Sequence, residues 1–262
     1  MEPVLDVHNI SKDFGGVRAL DQLCLKVLPR EILALIGPNG AGKTTFFNCI
    51  TGIYPPSNGD IFVIRPGQER MRMNGLKPNQ VTEKGLARSF QNIRLFPHMT
   101  ALENVMIGRH CRTSAGILGA ILRSKSTVRE EHEVVRESYI LLTKLKIAEF
   151  CNERAKNLPY GVQRRLEIAR ALATKPFLLL LDEPAAGMNP QETRELGELI
   201  VCIRDEEDIS ILLIEHDMRL VMSISDRIVV MDYGRKIAEG SPAQIQNDPL
   251  VIMAYLGEDI DA

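Results

Sequence analysis

The apolar stretch Ile32-Leu-Ala-Leu-Ile36 runs directly into Gly37, Pro38, Asn39, Gly40, Ala41, Gly42, Lys43, Thr44 and Thr45. A strand that breaks into glycines and closes on Lys-Thr-Thr has the form G-x-x-x-x-G-K-[ST], a turn built to cradle phosphate. The glycines let the backbone curl until successive N–H groups converge on phosphate oxygens. Lys43 adds a point charge, and Thr44 offers a hydroxyl to Mg2+. A helix is expected at once, with its positive end toward the anion. The ligand class this implies is a nucleoside triphosphate.

Two further segments, Phe177 to Leu181 and Ile209 to Ile214, are apolar on both faces, as parallel strands covered by helices on each side would be. They predict an α/β core. The N-terminal part differs: Val4 to Ile10, Gln22 to Leu28, Glu31 to Ile36 and Asp60 to Ile64 read as short strands. Their alternation suits a half-exposed antiparallel sheet, with Asn58-Gly59 read as a turn. Residues 65–84 show no clean period and read as a surface excursion. From Thr100 a capping box with Glu103 opens a helix, and Val128 to Ile147 places Val128, Val135, Leu142 and Leu145 on one face, which predicts a helical lobe. Residues 113–127 read as a connection. A hairpin turning at Asp232 to Gly234 follows the core, and Ser241-Pro242 and Asp248-Pro249 open two closing helices.

The charge balance, 32 basic against 34 acidic residues, lacks the footprint of a nucleic-acid binder, so any phosphate specificity must be local. Five cysteines without a C-x-x-C spacing read as free thiols in a reducing compartment, with Cys24, Cys49 and Cys202 inside apolar periodic segments. No apolar run approaches the roughly 20 residues of a membrane helix and no signal peptide opens the chain, so any membrane link is expected through a partner.

Other residues supply chemistry around the turn. Asp182 and Glu183 emerge where a parallel strand ends: Asp182 is suited to hold Mg2+ with Thr44, and Glu183 to polarise an attacking water. The second apolar strand ends in Glu215-His216-Asp217, and a neutral His216 there is suited to bond a γ-phosphate oxygen or the water. Gln91 falls where core gives way to lobe, a neutral amide able to sense Mg2+ and water. Leu158 to Gln163 precede a strong helix. Arg164 and Arg165, read into its first turn against the helix dipole, point either to a nearby anion or to a solvated basic turn.

This ordered set, with Phe14 in Lys12-Asp-Phe-Gly-Gly, resembles the ATP-binding subunit of ABC transporters over essentially the whole chain. The strings from Ile36 to Gly52, Arg164 to Arg170, Glu183 to Gly187 and Ile214 to Met218 look most like the ATPase subunit of bacterial branched-chain amino-acid importers. Subunits for urea or short amides and the lipopolysaccharide-export ATPase are also similar. The resemblance implies an α/β P-loop NTPase fold, with residues 1–91 and 158–262 forming the core with a small antiparallel β subdomain. Residues 92–157 would be an inserted helical subdomain that contacts a membrane partner.

It further implies that Phe14 stacks on adenine and that ATP and Mg2+ bind at Gly37 to Thr45. Glu183, His216 and Gln91 would serve hydrolysis, with Thr44, Gln91 and Asp182 at the metal. The segment Leu158, Pro159, Tyr160, Gly161, Val162 and Gln163 would be presented to the ATP of a second ATPase subunit, with Asn189 communicating across the dimer. The implied partners are that second subunit, integral membrane permease subunits and an extracytoplasmic substrate-binding protein, with the chain on the cytoplasmic side of the membrane. A soluble ABC-type ATPase without a permease and a nucleotide-sensing module without turnover are the competing readings. The chain departs from the family pattern at the signature Leu-Ser-Gly-Gly-Gln, held here by Leu158 to Val162. Pro159 supplies neither the serine hydroxyl nor an N–H, and Asn189 replaces an aspartate.

Overall fold

A computed structural model describes residues 2–65, 67–89, 93–110 and 125–256. The chain divides into two compact units, residues 1–88 with 177–262 and residues 89–176.

The first unit carries two sheets. In the antiparallel sheet, β1 (Leu5–Phe14) lies between β2 (Val17–Val27) and β4 (Asn58–Val63), with β5 (Met71–Arg72) at the edge. The six-stranded sheet has the order β10-β9-β3-β8-β7-β6. Its parallel strands are β3 (Ile32–Ile36), β6 (Leu86–Arg88), β7 (Leu178–Asp182), β8 (Ser210–Ile214) and β9 (Arg227–Asp232), and β10 (Arg235–Gly240) returns antiparallel. β7 and β8 are buried at every position, as expected of parallel strands covered on both faces. β3 was expected in the half-exposed antiparallel sheet, but it is likewise buried throughout and pairs parallel with β8 and β9, because both of its faces are covered.

The pleat divides β3 between two cores. Leu33 and Leu35 join Leu180, Leu212 and Phe46, Phe47 of helix α1 (Lys43–Ile50) beneath the antiparallel sheet, whereas Ala34 and Ile36 join Val221, Val230 and Ile245. The sequence β3-turn-α1 thereby sets the glycine-rich turn at the carboxyl end of the central strand.

Other expectations change as well. Asn58-Gly59 does not make a turn: Asn58 pairs with Ser11 inside β4, beside a register shift in β1 where Asn9 takes φ 46°. A Cβ on Gly59 would stand 2.5 Å or less from the His8 and Asn9 carbonyl oxygens, so the glycine serves a bulge rather than a reversal. The 65–84 excursion holds β5 and a short helix α2 (Pro78–Glu83), anchored by buried Met73 and Val81. Elements this short have no period to read. Of the cysteines, Cys49 is buried and burial pushes its thiol up to about 11, Cys24 is half-buried, and Cys202 is exposed, contrary to its reading as an apolar position.

The second unit packs α3 (Ala101–Arg109), α4 (Lys125–Lys144) and α5 (Tyr160–Leu172). The Thr100–Glu103 capping box is present, with Glu103 N–H to Thr100 Oγ1 at 3.1 Å and Thr100 N–H to Glu103 Oε2 at 2.8 Å. The buried stripe of α4 runs through Val134, Ser138, Leu141 and Leu142 and continues to Leu145 just past its end, while Val128 and Val135 are exposed. The inner face is thus the row through Val134 and Leu141, one residue ahead of the expected row, with Leu142 and Leu145 of the expected set buried beside it where α4 packs on α3 and α5. The unit runs from Ser89 to Pro176, and α5 packs on α3 and α4. Most of the 113–127 connection lies outside the described residues, and α4 begins at Lys125.

Asn104 organises the start of this unit. It is fully buried, with Oδ1 accepting the Phe96 N–H at 2.8 Å and Nδ2 donating to the Phe96 and Thr100 carbonyls at 3.1 and 2.9 Å. Asn104→Ala removes the acceptor of the Phe96 N–H, while the Phe96 and Thr100 carbonyls keep the N–H groups of Met99 and Asn104, and it is expected to lower stability by about 1–3 kcal/mol. An unchanged midpoint in urea unfolding would refute this.

Candidate nucleotide-binding site

The cradle is shaped by what presses on it from behind. Gly37 (φ 150°) follows β3, and a Cβ there would meet the Met231 carbonyl oxygen at 2.0 Å. On Gly42 (φ 99°) it would meet the Ala19 carbonyl oxygen at 2.5 Å. Only glycine fits at these two places, since both the space and the left-handed backbone exclude a side chain. The Gly234 N–H donates to the Ala41 carbonyl at 3.0 Å, pinning the loop to the β9–β10 hairpin. Lys43 is buried and turned inward, its ammonium donating to the Gly37 and Pro38 carbonyls at 2.6 and 2.8 Å. Asn39, Gly40 and Thr44 are exposed at the mouth, Thr45 is half-buried, and Pro38 and Ala41 are buried. The cation therefore sits under the loop while the surface left open is backbone and hydroxyl.

At the end of β7, Asp182 is buried and paired with Arg88 of β6, Nη2 to Oδ2 at 2.7 Å. The other terminal nitrogen of Arg88, Nη1, donates to Asn48 Oδ1 at 2.7 Å and to Thr51 Oγ1 at 3.2 Å, at the far end of α1. One guanidinium thus ties the strand that delivers Asp182 to the helix that starts at the cradle. Sequence reading missed Arg88: a lone arginine on a short strand carries no motif, and its pairing joins positions 94 residues apart.

Glu183 takes the left-handed conformation (φ 49°), rare for a residue with a Cβ, and its N–H donates to the Ile214 carbonyl at 2.9 Å. Its carboxylate meets the imidazole of His216, Oε1 to Nε2 at 2.9 Å, with His216 the more exposed of the two. Glu183 and His216, read separately from the ends of two strands, are thus in contact, because β7 and β8 are hydrogen-bonded neighbours. Glu215, which sequence reading passed over, is buried, with its carboxylate on the backbone of both turns. Burial pushes its carboxyl above the usual carboxylate range, against the pull of the backbone N–H groups of Ala185, His216 and Asp217.

Comparison with known proteins agrees with this arrangement. Residues 20–186 match the ABC transporter family, and residues 235–261 match a family described as branched-chain amino acid ATP-binding cassette transporter. The chain belongs to the ABC transporter family. It is 46% identical over 257 residues to the high-affinity branched-chain amino acid transport ATP-binding protein LivG of Escherichia coli (strain K12), covering 98% of this chain and 99% of that protein. It is 46% identical over 256 residues to the corresponding BraF protein of Pseudomonas aeruginosa, covering 98% of each chain. The crystal structure of the ADP conformation of an ATP-binding cassette of an ABC transporter superposes with a TM-score of 0.84 at 31% identity, over 98% of this chain and 100% of that one.

Within this ABC ATPase, Phe14 ends β1 partly exposed, with Tyr54 edge-on at 5.2 Å and the Lys12 ammonium 5.0 Å from its ring. In the second unit, Pro159 caps α5, Leu158 is buried, and Gln163 Nε2 donates to the Leu158 carbonyl at 2.8 Å. The first turn of α5 is Tyr160, Gly161, Val162 and Gln163, so Arg164 and Arg165 fall beyond it. Arg164 is buried and donates to the Tyr160 hydroxyl at 2.8 Å, and it pairs with Glu167 at 3.5 Å. That corrects the reading of a basic first turn in need of an anion: the arginine is satisfied within the helix.

Asn189 is the N-cap of helix α6 (Pro190–Glu207), accepting the N–H groups of Gln191 and Glu192 at 2.9 and 3.0 Å. Asparagine caps as well as aspartate does, so the exchange keeps the helix start while removing a charge. Gln91 lies outside the described residues. Among the described residues no helix is long and apolar enough to cross a membrane, and no group of three or more His, Cys, Asp or Glu is placed to hold a metal.

Proposed function

We propose that this ABC ATPase powers uptake of branched-chain amino acids, with hydrolysis centred on the Glu183–His216 pair above the Lys43 cradle. The near full-length likeness to proteins named for branched-chain amino acid transport carries the substrate assignment. In this reading the N–H groups of residues 39–44 and the Lys43 ammonium bind the phosphates, the ammonium leaving its two carbonyl partners to do so. Phe14 offers the face on which adenine stacks. Glu183 Oε1 accepts the proton side of the attacking water, and the His216 Nε2–H, which faces that carboxylate here, turns from it to donate to a γ-phosphate oxygen.

One exposed hydroxyl, Thr44, and one buried carboxylate, Asp182, form a hard oxygen donor set of the kind that suits Mg2+ when phosphate and water complete the shell. Thr44 and Asp182 would hold the ion, whose contribution there is to neutralise phosphate charge; Gln91 belongs to the same proposal.

The turn Leu158 to Gln163 and Asn189 face a second ATPase subunit in this reading. Gly161 and the helix end supply N–H groups where Pro159 has none. The partners are that subunit, integral membrane permease subunits and an extracytoplasmic binding protein, with this chain on the cytoplasmic side and no nucleic acid involved. The test is reconstitution of the full-length chain with its membrane subunits in vesicles. ATP hydrolysis should rise several-fold when a leucine-loaded binding protein is supplied. A rate indifferent to leucine, isoleucine and valine, or a chain that copurifies with no membrane protein, would overturn the assignment.

A further inference from the structure

The turns that carry Glu183 and His216 are joined by a third side chain. Glu215, which follows the last residue of β8, is 4% exposed, and its carboxylate accepts three N–H groups. Oε1 takes that of Ala185 at 2.7 Å, and Oε2 takes those of His216 at 2.9 Å and Asp217 at 3.3 Å. Glu183, two residues before Ala185, is held in left-handed backbone, a conformation that persists only where its surroundings impose it. The Ile214 carbonyl imposes it from before, through the Glu183 N–H, and the Glu215 carboxylate from after, through Ala185. The same carboxylate orders the backbone that aims the His216 ring.

The chemistry of the site requires a carboxylate. A glutamine has a single acceptor oxygen, and its amide would turn an N–H toward an N–H on one side. An aspartate keeps the charge and can still cap its own turn, but it withdraws from Ala185 by about one carbon–carbon bond, roughly 1.5 Å. We propose that Glu215 is a positioning residue for hydrolysis, holding the left-handed turn of Glu183 in register with His216 through the Ala185 N–H. This rests on the reading in which Glu183 and His216 perform the hydrolysis.

The discriminating variant is Glu215→Asp, which breaks the cross-turn bond while leaving a charged, locally bonded residue in place; Glu215→Gln is its companion. Both are made in the full-length chain assembled with its membrane subunits. A displacement of this size at a reacting group costs on the order of 100-fold in rate. We expect Glu215→Asp to lower kcat by about 10- to 100-fold with KM for ATP within two-fold of the parent and a melting temperature little changed. Single-turnover hydrolysis in the Glu183→Gln background should be no slower when Glu215→Asp is added, because Glu215 acts through Glu183.

A kcat within two-fold of the parent, a matching rise in KM, or a full further loss in the Glu183→Gln background would each overturn the role. Should Glu215→Gln fail to fold, Glu215→Asp alone decides. If Glu183→Gln itself turns over at the parental rate, the hydrolytic reading fails first and this inference with it.

Discussion

Glu183→Gln is expected to lower steady-state ATP hydrolysis by about 100- to 10,000-fold, the range a positioned general base contributes, while leaving ATP binding intact. The substitution keeps the size of the side chain and its contact with His216, now at 2.9 Å from a neutral amide oxygen or nitrogen, but it removes the basic oxygen. The cradle is built on other groups: Lys43 bonds the Gly37 and Pro38 carbonyls, and the glycine turn is held from behind by Met231, Ala19 and Gly234. The loss should therefore appear in kcat and not in ATP affinity, the pattern of an interaction made only in the transition state. Turnover by the assembled transporter and equilibrium binding of a fluorescent ATP analogue measure the two separately. Parental turnover, or loss of both together, would remove Glu183 from the role.

Arg88→Met is expected to destabilise the first unit by about 3–5 kcal/mol, because it leaves the buried Asp182 carboxylate without its guanidinium. Both side chains are almost completely enclosed, 7% and 5% exposed, so the carboxylate stays largely desolvated when its guanidinium is lost. The Asn48 and Thr51 bonds are lost at the same time. At roughly 2–4 °C per kcal/mol for a chain of this size, the melting temperature should fall by about 6–20 °C. Arg88→Met combined with Asp182→Leu should recover part of that loss, since no buried charge is then left alone. Scanning calorimetry on the three proteins checks both statements, and a shift under 2 °C for Arg88→Met would contradict the first.

What could be read from the chain alone was whatever a short local pattern dictates. Gly37 to Thr45 announces the cradle because the chemistry of phosphate binding sits within nine consecutive residues. The strands at 178–182 and 210–214 are legible because burial on both faces leaves an unbroken apolar run. Thr100–Glu103 and the turn at Tyr233-Gly234 are equally local. The misreadings have the opposite character. Asn58-Gly59 looks like a turn, and only the bulge in β1 shows why glycine is needed. Val128 and Val135 have plausible spacing, but the partner surface of α4 selects Val134 and Leu141 instead. Arg164 looks solvated or anion-seeking until its partners Tyr160 and Glu167 fold around it.

The same distinction separates the parts of the site. The sequence by itself determined the α/β class and picked out the glycine-rich turn, the acid pair at 182 and 183 and the histidine at 216 as candidate site residues, since each follows from residue type within one element. Only the tertiary structure decided that Glu183 meets His216, that Arg88 guards Asp182 and that Glu215 binds two turns together. Those contacts join residues brought together by adjacent parallel strands, and a parallel pairing has no signature in the residues between.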